Sequence, residues 1–347
     1  METTHRVVTG DARDLAALDD DSVELVVTSP PYPMVEMWDD LFADAAPAVR
    51  NALDDGDGER AYEAMHGVLD AVWDEVARVL VPGGIACVDV GDATRTLDDA
   101  FRVYRNHARV ADALCERGLD PLPEVLWRKP TNSAAKFMGS GTLPPNAYVT
   151  LEHEHVLVFR NGAERRSFPP NDPDRYASAY FWEERNRWFS DVWTDVRGER
   201  QGLPAARGAR ERSAAYPFEI PHRLVNMFSV RGDTVLDPFW GTGTTTLAAL
   251  AGGRSSVGYE LDAGLVEAFA DRVTDVEAFT DRVARERLAR HREFVAESDG
   301  EFGYDATHYD VPVKTKRERD IRLYRVSDVE REDWGYRARH APVDAER

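Results

Sequence analysis

Thirteen consecutive residues, Thr234-Val-Leu-Asp237-Pro-Phe239-Trp-Gly241-Thr-Gly243-Thr244-Thr245-Thr246, spell an apolar strand, a tight turn and the start of a helix. Gly241 and Gly243 free the backbone to take positive φ and to approach a ligand closely. The amides opening the following helix offer donors to a polar or anionic group on the turn. The pattern is neither Gly-x-Gly-x-x-Gly nor a phosphate loop, because no lysine follows the second glycine. The next apolar run ends in Gly258-Tyr-Glu260-Leu-Asp262. It sets a carboxylate at a strand's C-terminal end about twenty residues on, where nucleoside-binding α/β folds hold ribose hydroxyls. A glycine turn alone is equally a plain connection; the turn joined to Glu260 favours a nucleoside site.

A second element lies far upstream. Glu24–Thr28 is an apolar run stopped by Ser29-Pro30-Pro31-Tyr32. Ser29 and Pro30 each precede a proline, which pushes both to extended backbone, and neither proline donates a hydrogen bond. The result is a stiff ledge with one hydroxyl, outward carbonyls and an aromatic ring. Such a ledge suits a planar amine, with the Ser29 hydroxyl and Pro30 carbonyl accepting its two hydrogens and Tyr32 stacking on its ring. Taken alone, it is also an ordinary Pro-Pro strand terminator.

Strands and helices alternate around these elements, which argues for an α/β fold with a mostly parallel twisted sheet. Helices are predicted over Ala61–Leu80, Ile220–Phe228 and Thr244–Ala251, with helical pattern continuing to about Val295. Strands are predicted at Ile85–Val90, Glu124–Trp127, His155–Phe159, Thr234–Asp237 and Ser256–Glu260. Between them Arg160–Arg212 is irregular and holds eleven arginines against nine acids. The organisation is therefore a first half, 1–159, an insert, 160–212, a second half, 213–295, and a charged C-terminal extension, 296–347.

Hydrophobic residues at 43% supply a sizeable core and exclude wholesale disorder. No apolar run approaches a membrane span, and the opening residues carry charge with no apolar signal core. A cytoplasmic protein without a membrane partner is expected. Cys87 and Cys115 form no metal or disulfide spacing, and both read as packing residues. His153 and His155 share one face of a strand with no third ligand in view, so packing or hydrogen bonding is expected and no metal. Sixty-three Asp and Glu against 43 Lys and Arg give a net charge of −20, and only Lys129, Lys136, Lys314 and Lys316 are lysine. An acidic, lysine-poor surface suits concentrated salt, where at 1 M the Debye length is about 3 Å and self-repulsion is screened.

With both motifs in view, the chain resembles the S-adenosylmethionine-dependent DNA amino-methyltransferases in their permuted beta arrangement, and looks like one from a halophilic archaeon. There a Ser/Asp/Asn-Pro-Pro-Tyr precedes the Asp-Pro-Phe-x-Gly-x-Gly-Thr cofactor loop, as Ser29–Tyr32 precedes Asp237–Thr244. Gly10-Asp11, ahead of the strand Glu24–Thr28, resembles the pair whose acid contacts the cofactor's adenine. Arg78-Val-Leu-Val-Pro-Gly-Gly84 and Tyr216-Pro-Phe-Glu-Ile-Pro-His-Arg-Leu224 resemble further family segments. The resemblance implies a Rossmann-like class I methyltransferase fold with circularly permuted motif order and a target-recognition insert. It implies S-adenosyl-L-methionine as cofactor, held by Asp11, Asp237, Phe239, Gly241, Gly243, Thr244, Thr245 and Glu260. Ser29, Pro30, Pro31 and Tyr32 would be catalytic.

Serine at position 29 marks cytosine-N4 methylation within that family; adenine N6 is the alternative, and a catalytically silent DNA-binding regulator is the alternative from another class. Double-stranded DNA is the expected partner, with a cognate restriction endonuclease as a companion. Arg165, Arg166, Arg185, Arg187, Arg197 and Arg200, interleaved with Tyr180, Trp182, Trp188 and Trp193, are read as the DNA-facing set of the insert. Lys129 and Lys136 stand in a loop expected to close over DNA. A smaller satellite core is the other use for the insert's aromatics.

Overall fold

The computed structural model describes residues 1–129, 138–198 and 217–344. Ten strands form one sheet: β1 (Glu2–Thr9), β2 (Val23–Thr28), β3 (Leu80–Val90), β4 (Leu119–Arg128), β5 (His153–Asn161), β6 (Val192–Trp193), β7 (Thr234–Asp237), β8 (Ser255–Glu260), β9 (Tyr324–Glu332) and β10 (Gly335–Pro342). Their order across the sheet is β6-β4-β5-β3-β2-β7-β8-β1-β10-β9. The five central strands from β3 to β1 are mutually parallel, and β5 runs antiparallel between β3 and β4.

The central strands read as unbroken apolar runs because both of their faces are covered. Val26, Ala86, Val88, Leu157, Phe159 and Leu236 pack on one side, beneath the helices Gly58–Val79 and Asn106–Glu116. Leu25, Val27, Cys87, Val156, Val158 and Val235 pack on the other, against the helices Glu219–Phe228 and Thr244–Gly252. The sheet is thus the middle of three layers, and its permuted chain order carries the Ser29 strand ahead of the glycine-turn strand.

Two parts of the sheet escape a hydropathy reading. β1 has the polar sequence Glu-Thr-Thr-His-Arg-Val-Val-Thr, yet Thr3 and His5 are buried. Thr3 Oγ1 lies 2.8 Å from Nε2 of both His5 and His340. One hydroxyl proton serves only one ring, so the other ring must donate. Gly10-Asp11 therefore follows the first strand of the sheet. The charged extension supplies β9 and β10, a hairpin that pairs antiparallel with β1. Of the two cysteines, Cys87 is buried and its thiol is pushed up by burial, whereas Cys115 is exposed and is not a packing residue.

The insert is anchored into the body of the protein. Phe181, Trp188 and Trp193 are buried, and Trp193 joins the core on the Glu219–Phe228 side. Glu184 receives a bidentate pair from Arg287 at 2.8 Å to each oxygen, and Arg287 also donates to Asn226 at 3.1 Å. Both partners are buried, which makes each dependent on the other. Arg287→Met is expected to cost about 3–5 kcal/mol in denaturant unfolding, because it strands the Glu184 carboxylate in the interior.

Four buried histidines set the acid limit. Burial lowers His5 and His222 to about 3, and His66 and His340 to about 4. The folded state resists their protonation, so this contribution is complete above pH 6.5 and is lost as pH falls toward 4. Asp237, raised to about 6 by burial, and Asp89, raised well above the ordinary range by burial, work oppositely and favour the folded state at lower pH. Four histidines outweigh two carboxyls: the thermal midpoint should fall from pH 7 to pH 5, as differential scanning fluorimetry can follow.

Candidate active site

The parallel register brings the two motifs to one edge. β2 and β7 are neighbours, with Leu25 opposite Val235 and Val26 opposite Leu236, so Thr28 and Asp237 finish side by side. Thr28 Oγ1 donates to Asp237 Oδ1 at 2.7 Å, and the Phe239 amide donates to the same oxygen at 3.1 Å. Beyond these strand ends opens a cavity of about 200 Å³. Ser29, Pro30, Pro31 and Tyr32 line it together with Asp237, Phe239, Gly241, Thr244 and Glu260, and with Asp11 and Arg13 after the end of β1. Carboxyl ends of parallel strands at a change of strand order are where α/β sheets bind ligands.

The glycine turn is organised by Glu260. Its Oε2 accepts from the Gly241 amide at 2.9 Å and its Oε1 accepts from the Asp262 amide at 2.9 Å. One carboxylate therefore fixes the turn through both of its oxygens while bordering the cavity. The two glycines do different work. At Gly241, φ is +56° and an added Cβ would meet nothing nearer than 3.8 Å, which leaves the backbone open to a ligand. At Gly243, φ is +76° and an added Cβ would come within 2.5 Å of Phe269 and 2.7 Å of Trp240, so this glycine serves packing. Gly243 and Thr245 do not border the cavity; Thr245 donates to the Val27 carbonyl at 3.3 Å, behind the turn. Asp11 is gripped by Arg13, through Nε at 2.9–3.0 Å and Nη2 at 2.6 Å, and this guanidinium holds its carboxyl below the usual range.

Behind the ledge lies a group that no sequence motif announced. The Tyr32 hydroxyl is 3.0 Å from Ser29 Oγ and donates to Glu154 Oε2 at 3.4 Å. Lys129 donates to Glu154 Oε1 at 2.8 Å. Asp89, on β3, is completely enclosed, and neither of its oxygens accepts a hydrogen bond from a side-chain or backbone donor. Burial first, and then the charge of Glu154, raise the Asp89 carboxyl well above the ordinary carboxylate range. Burial also raises the Tyr32 phenol, helped by the charges of Glu154 and Asp89. The apolar walls, Trp38, Leu41, Phe42, Leu69 and Val72, come from helical stretches whose sequence signalled only amphipathic packing.

The DNA-facing set is dispersed. Arg166 is committed to the buried Asp233 at 2.6 and 2.8 Å, which removes it from the surface array. Arg187 sits 3.8 Å from Asp195, while Arg165, Arg185 and Arg197 are exposed. Lys136 and Arg200 lie outside the described residues. Trp188 and Trp193 are core residues and cannot wedge between bases; Trp182 is exposed. Asp92, His107 and His155 gather closely, with His107 Nδ1 2.8 Å from Asp92. The two imidazoles stack at 3.9 Å and 9°, so lone pairs in their near-parallel planes do not converge on one ion.

Comparison with known proteins agrees with this geometry. The DNA methylase family of N6 and N4 methyltransferases matches residues 23–271. M.MthZI, a Type II methyltransferase of Methanothermobacter thermautotrophicus, is 48% identical over 326 residues, 93% of this chain and 91% of that one. M.MjaI, a Type II methyltransferase of Methanocaldococcus jannaschii, is 48% identical over 284 residues, 79% of this chain and 92% of that one. Among solved structures, TTHA0409 of Thermus thermophilus, complexed with S-adenosyl-L-methionine, superposes with a TM-score of 0.61 at 33% identity, covering 78% of this chain and 93% of that one. The sheet order, the paired strand ends and the family match over 23–271 make this chain a member of the N6/N4 DNA methylase family.

Proposed function

We propose that the protein transfers a methyl group from S-adenosyl-L-methionine to cytosine N4 in duplex DNA. One observation carries the reading: the Ser29–Tyr32 ledge and the Gly241 turn, at the ends of neighbouring strands, line the same cavity. The cavity fits the cofactor. Glu260 offers acceptors for two ribose hydroxyls, Asp11 an acceptor for the adenine amine, and the open face of Gly241 room for the donor chain. Bound there, S-adenosylmethionine supplies an already activated sulfonium methyl.

The protein's own residues then position the acceptor. The exocyclic amine of cytosine has its lone pair delocalised into the ring and is a poor nucleophile. Ser29 Oγ and the Pro30 carbonyl accept its two hydrogens, which favours a more tetrahedral nitrogen and turns the lone pair toward the methyl. Positioning and aimed dipoles supply most of the acceleration. The amine is paired inside the duplex, so the base must be flipped out at a cost of a few kcal/mol, with the Tyr32 ring restoring part of the lost stacking. Lys129, Arg165, Arg185, Arg187 and Arg197 are the candidates for holding the DNA. The acidic surface belongs with work in concentrated salt, which weakens phosphate contacts and shifts recognition onto base edges and shape.

The test is methylation of duplex DNA by the purified protein, run at low salt and at about 2 M KCl, where surface repulsion is screened. Single-molecule sequencing of the product reads the modified base and its sequence context together. Methylcytosine at N4, with activity maintained at high salt, is expected; methylation at adenine N6 would overturn the assigned base, and activity confined to low salt the salt adaptation.

A further inference from the structure

We propose that Glu154 is the proton acceptor of methyl transfer, reached from the amine through Ser29 and Tyr32; the inference rests on the function proposed above. Forming the N–CH3 bond and breaking the S–CH3 bond leaves a positive charge on the amine nitrogen, and neutral product requires one N–H bond to break. The oxygens behind the ledge form a continuous path for that proton. Ser29 Oγ meets Tyr32 Oη at 3.0 Å, and Tyr32 Oη meets Glu154 Oε2 at 3.4 Å. The N–H proton passes to Ser29 Oγ as the Ser29 O–H proton passes to Tyr32 Oη and the Tyr32 proton to Glu154. One proton enters the chain, one arrives at the carboxylate, and both hydroxyls are regenerated.

The end of the path is Glu154 and not its neighbour. Asp89 is sealed in the interior and neither of its oxygens has a hydrogen-bond partner, so the path from Tyr32 does not reach it. The Tyr32 hydroxyl meets Glu154 instead. Glu154 also touches Lys129 at 2.8 Å, and the Lys129 side chain is 34% exposed. The ammonium balances the resting carboxylate, and its exposure gives the delivered proton a way to water. Tyr32 thereby has two functions carried by different atoms: its ring faces the flipped base and its hydroxyl conducts.

The test is a double-mutant cycle on full-length protein with S-adenosylmethionine and duplex DNA. Glu154→Gln keeps the shape of the side chain and a carbonyl for Tyr32 but cannot take a proton. Tyr32→Phe keeps the ring and cuts the path at one oxygen. Each is expected to lower kcat about 100-fold, the scale of general acid–base catalysis, with the KM for S-adenosylmethionine within about twofold. The double variant should be no slower than either single one, because a path cut once is already cut. Multiplicative losses, or wild-type kcat in Glu154→Gln or in Tyr32→Phe, would overturn the relay. Tyr32→Phe carries the test by itself if Glu154→Gln does not fold. If wild-type protein methylates DNA and the variants match it, only the relay fails; if wild-type protein makes no methylated DNA, the functional reading fails first.

Discussion

Replacing Ser29 by alanine is expected to slow methyl transfer about 100- to 1,000-fold, the usual loss when one aimed polar group is removed from a reacting centre. Cofactor affinity should stay within about twofold, because Ser29 belongs to the ledge and the cofactor contacts are assigned to the glycine turn. The Pro30 carbonyl and the Tyr32 ring remain in the variant, so residual activity should exceed background. Ser29 Oγ is both the acceptor of an amine hydrogen and the first oxygen of the path to Glu154, 3.0 Å from the Tyr32 hydroxyl. Its removal should therefore cost at least as much as Tyr32→Phe. Single-turnover methylation beside calorimetry of cofactor binding separates the two quantities. Unchanged single-turnover rates would remove the ledge from the chemistry.

Glu260→Ala is expected to weaken S-adenosylmethionine binding more than 100-fold while leaving the sheet intact. Two hydrogen bonds from ribose hydroxyls to a carboxylate contribute about 1.5–3 kcal/mol each, and about 1.4 kcal/mol is tenfold in affinity. The variant also frees the amides of Gly241 and Asp262, which Glu260 holds at 2.9 Å, so the turn loses its fixed shape. Glu260→Gln refines the argument. Its single carbonyl satisfies one amide, and its NH2 group must face the other donor. A weakening of about tenfold or more should therefore follow a change of one atom. Calorimetric titration measures both variants. Near-native affinity in Glu260→Ala would mean that the cofactor does not lie on this turn.

The motif-bearing parts of this molecule are legible in the chain because physical constraint and sequence coincide there. Buried parallel strands need apolar residues on both faces, and Leu25-Val-Val27 and Val235-Leu236 supply them. Where burial is sustained by hydrogen bonds, hydropathy is silent: Thr3 and His5 hold β1 in place through His340 and Ser256. The extension hides its strands differently. Val326, Tyr336, Ala338 and His340 alternate inward, but they are interleaved with exposed charges such as Arg339, which pairs with Asp328 at 3.0 Å. That charge masks a period of two.

The site shows the same division. The ledge and the turn are local strings and could be read directly, whereas Asp89 and Glu154 meet only because β3 and β5 are antiparallel neighbours, with Asp89 opposite Val156. A lone acid within the apolar run Ile85–Val90 was the available signal. The insert misleads in the opposite direction. Its arginines and tryptophans look like a nucleic-acid surface, yet Arg166, Trp188 and Trp193 are spent on the interior. Composition reports which residues are present and not which way they face.

The most direct test of the central claim is the nucleoside content of DNA treated with the protein and S-adenosylmethionine. Enzymatic digestion followed by mass spectrometry should show N4-methyldeoxycytidine, present with wild-type protein and about 100-fold or more reduced with Ser29→Ala. Methylated adenine, methylation at cytosine C5, or equal product from both proteins would contradict the account.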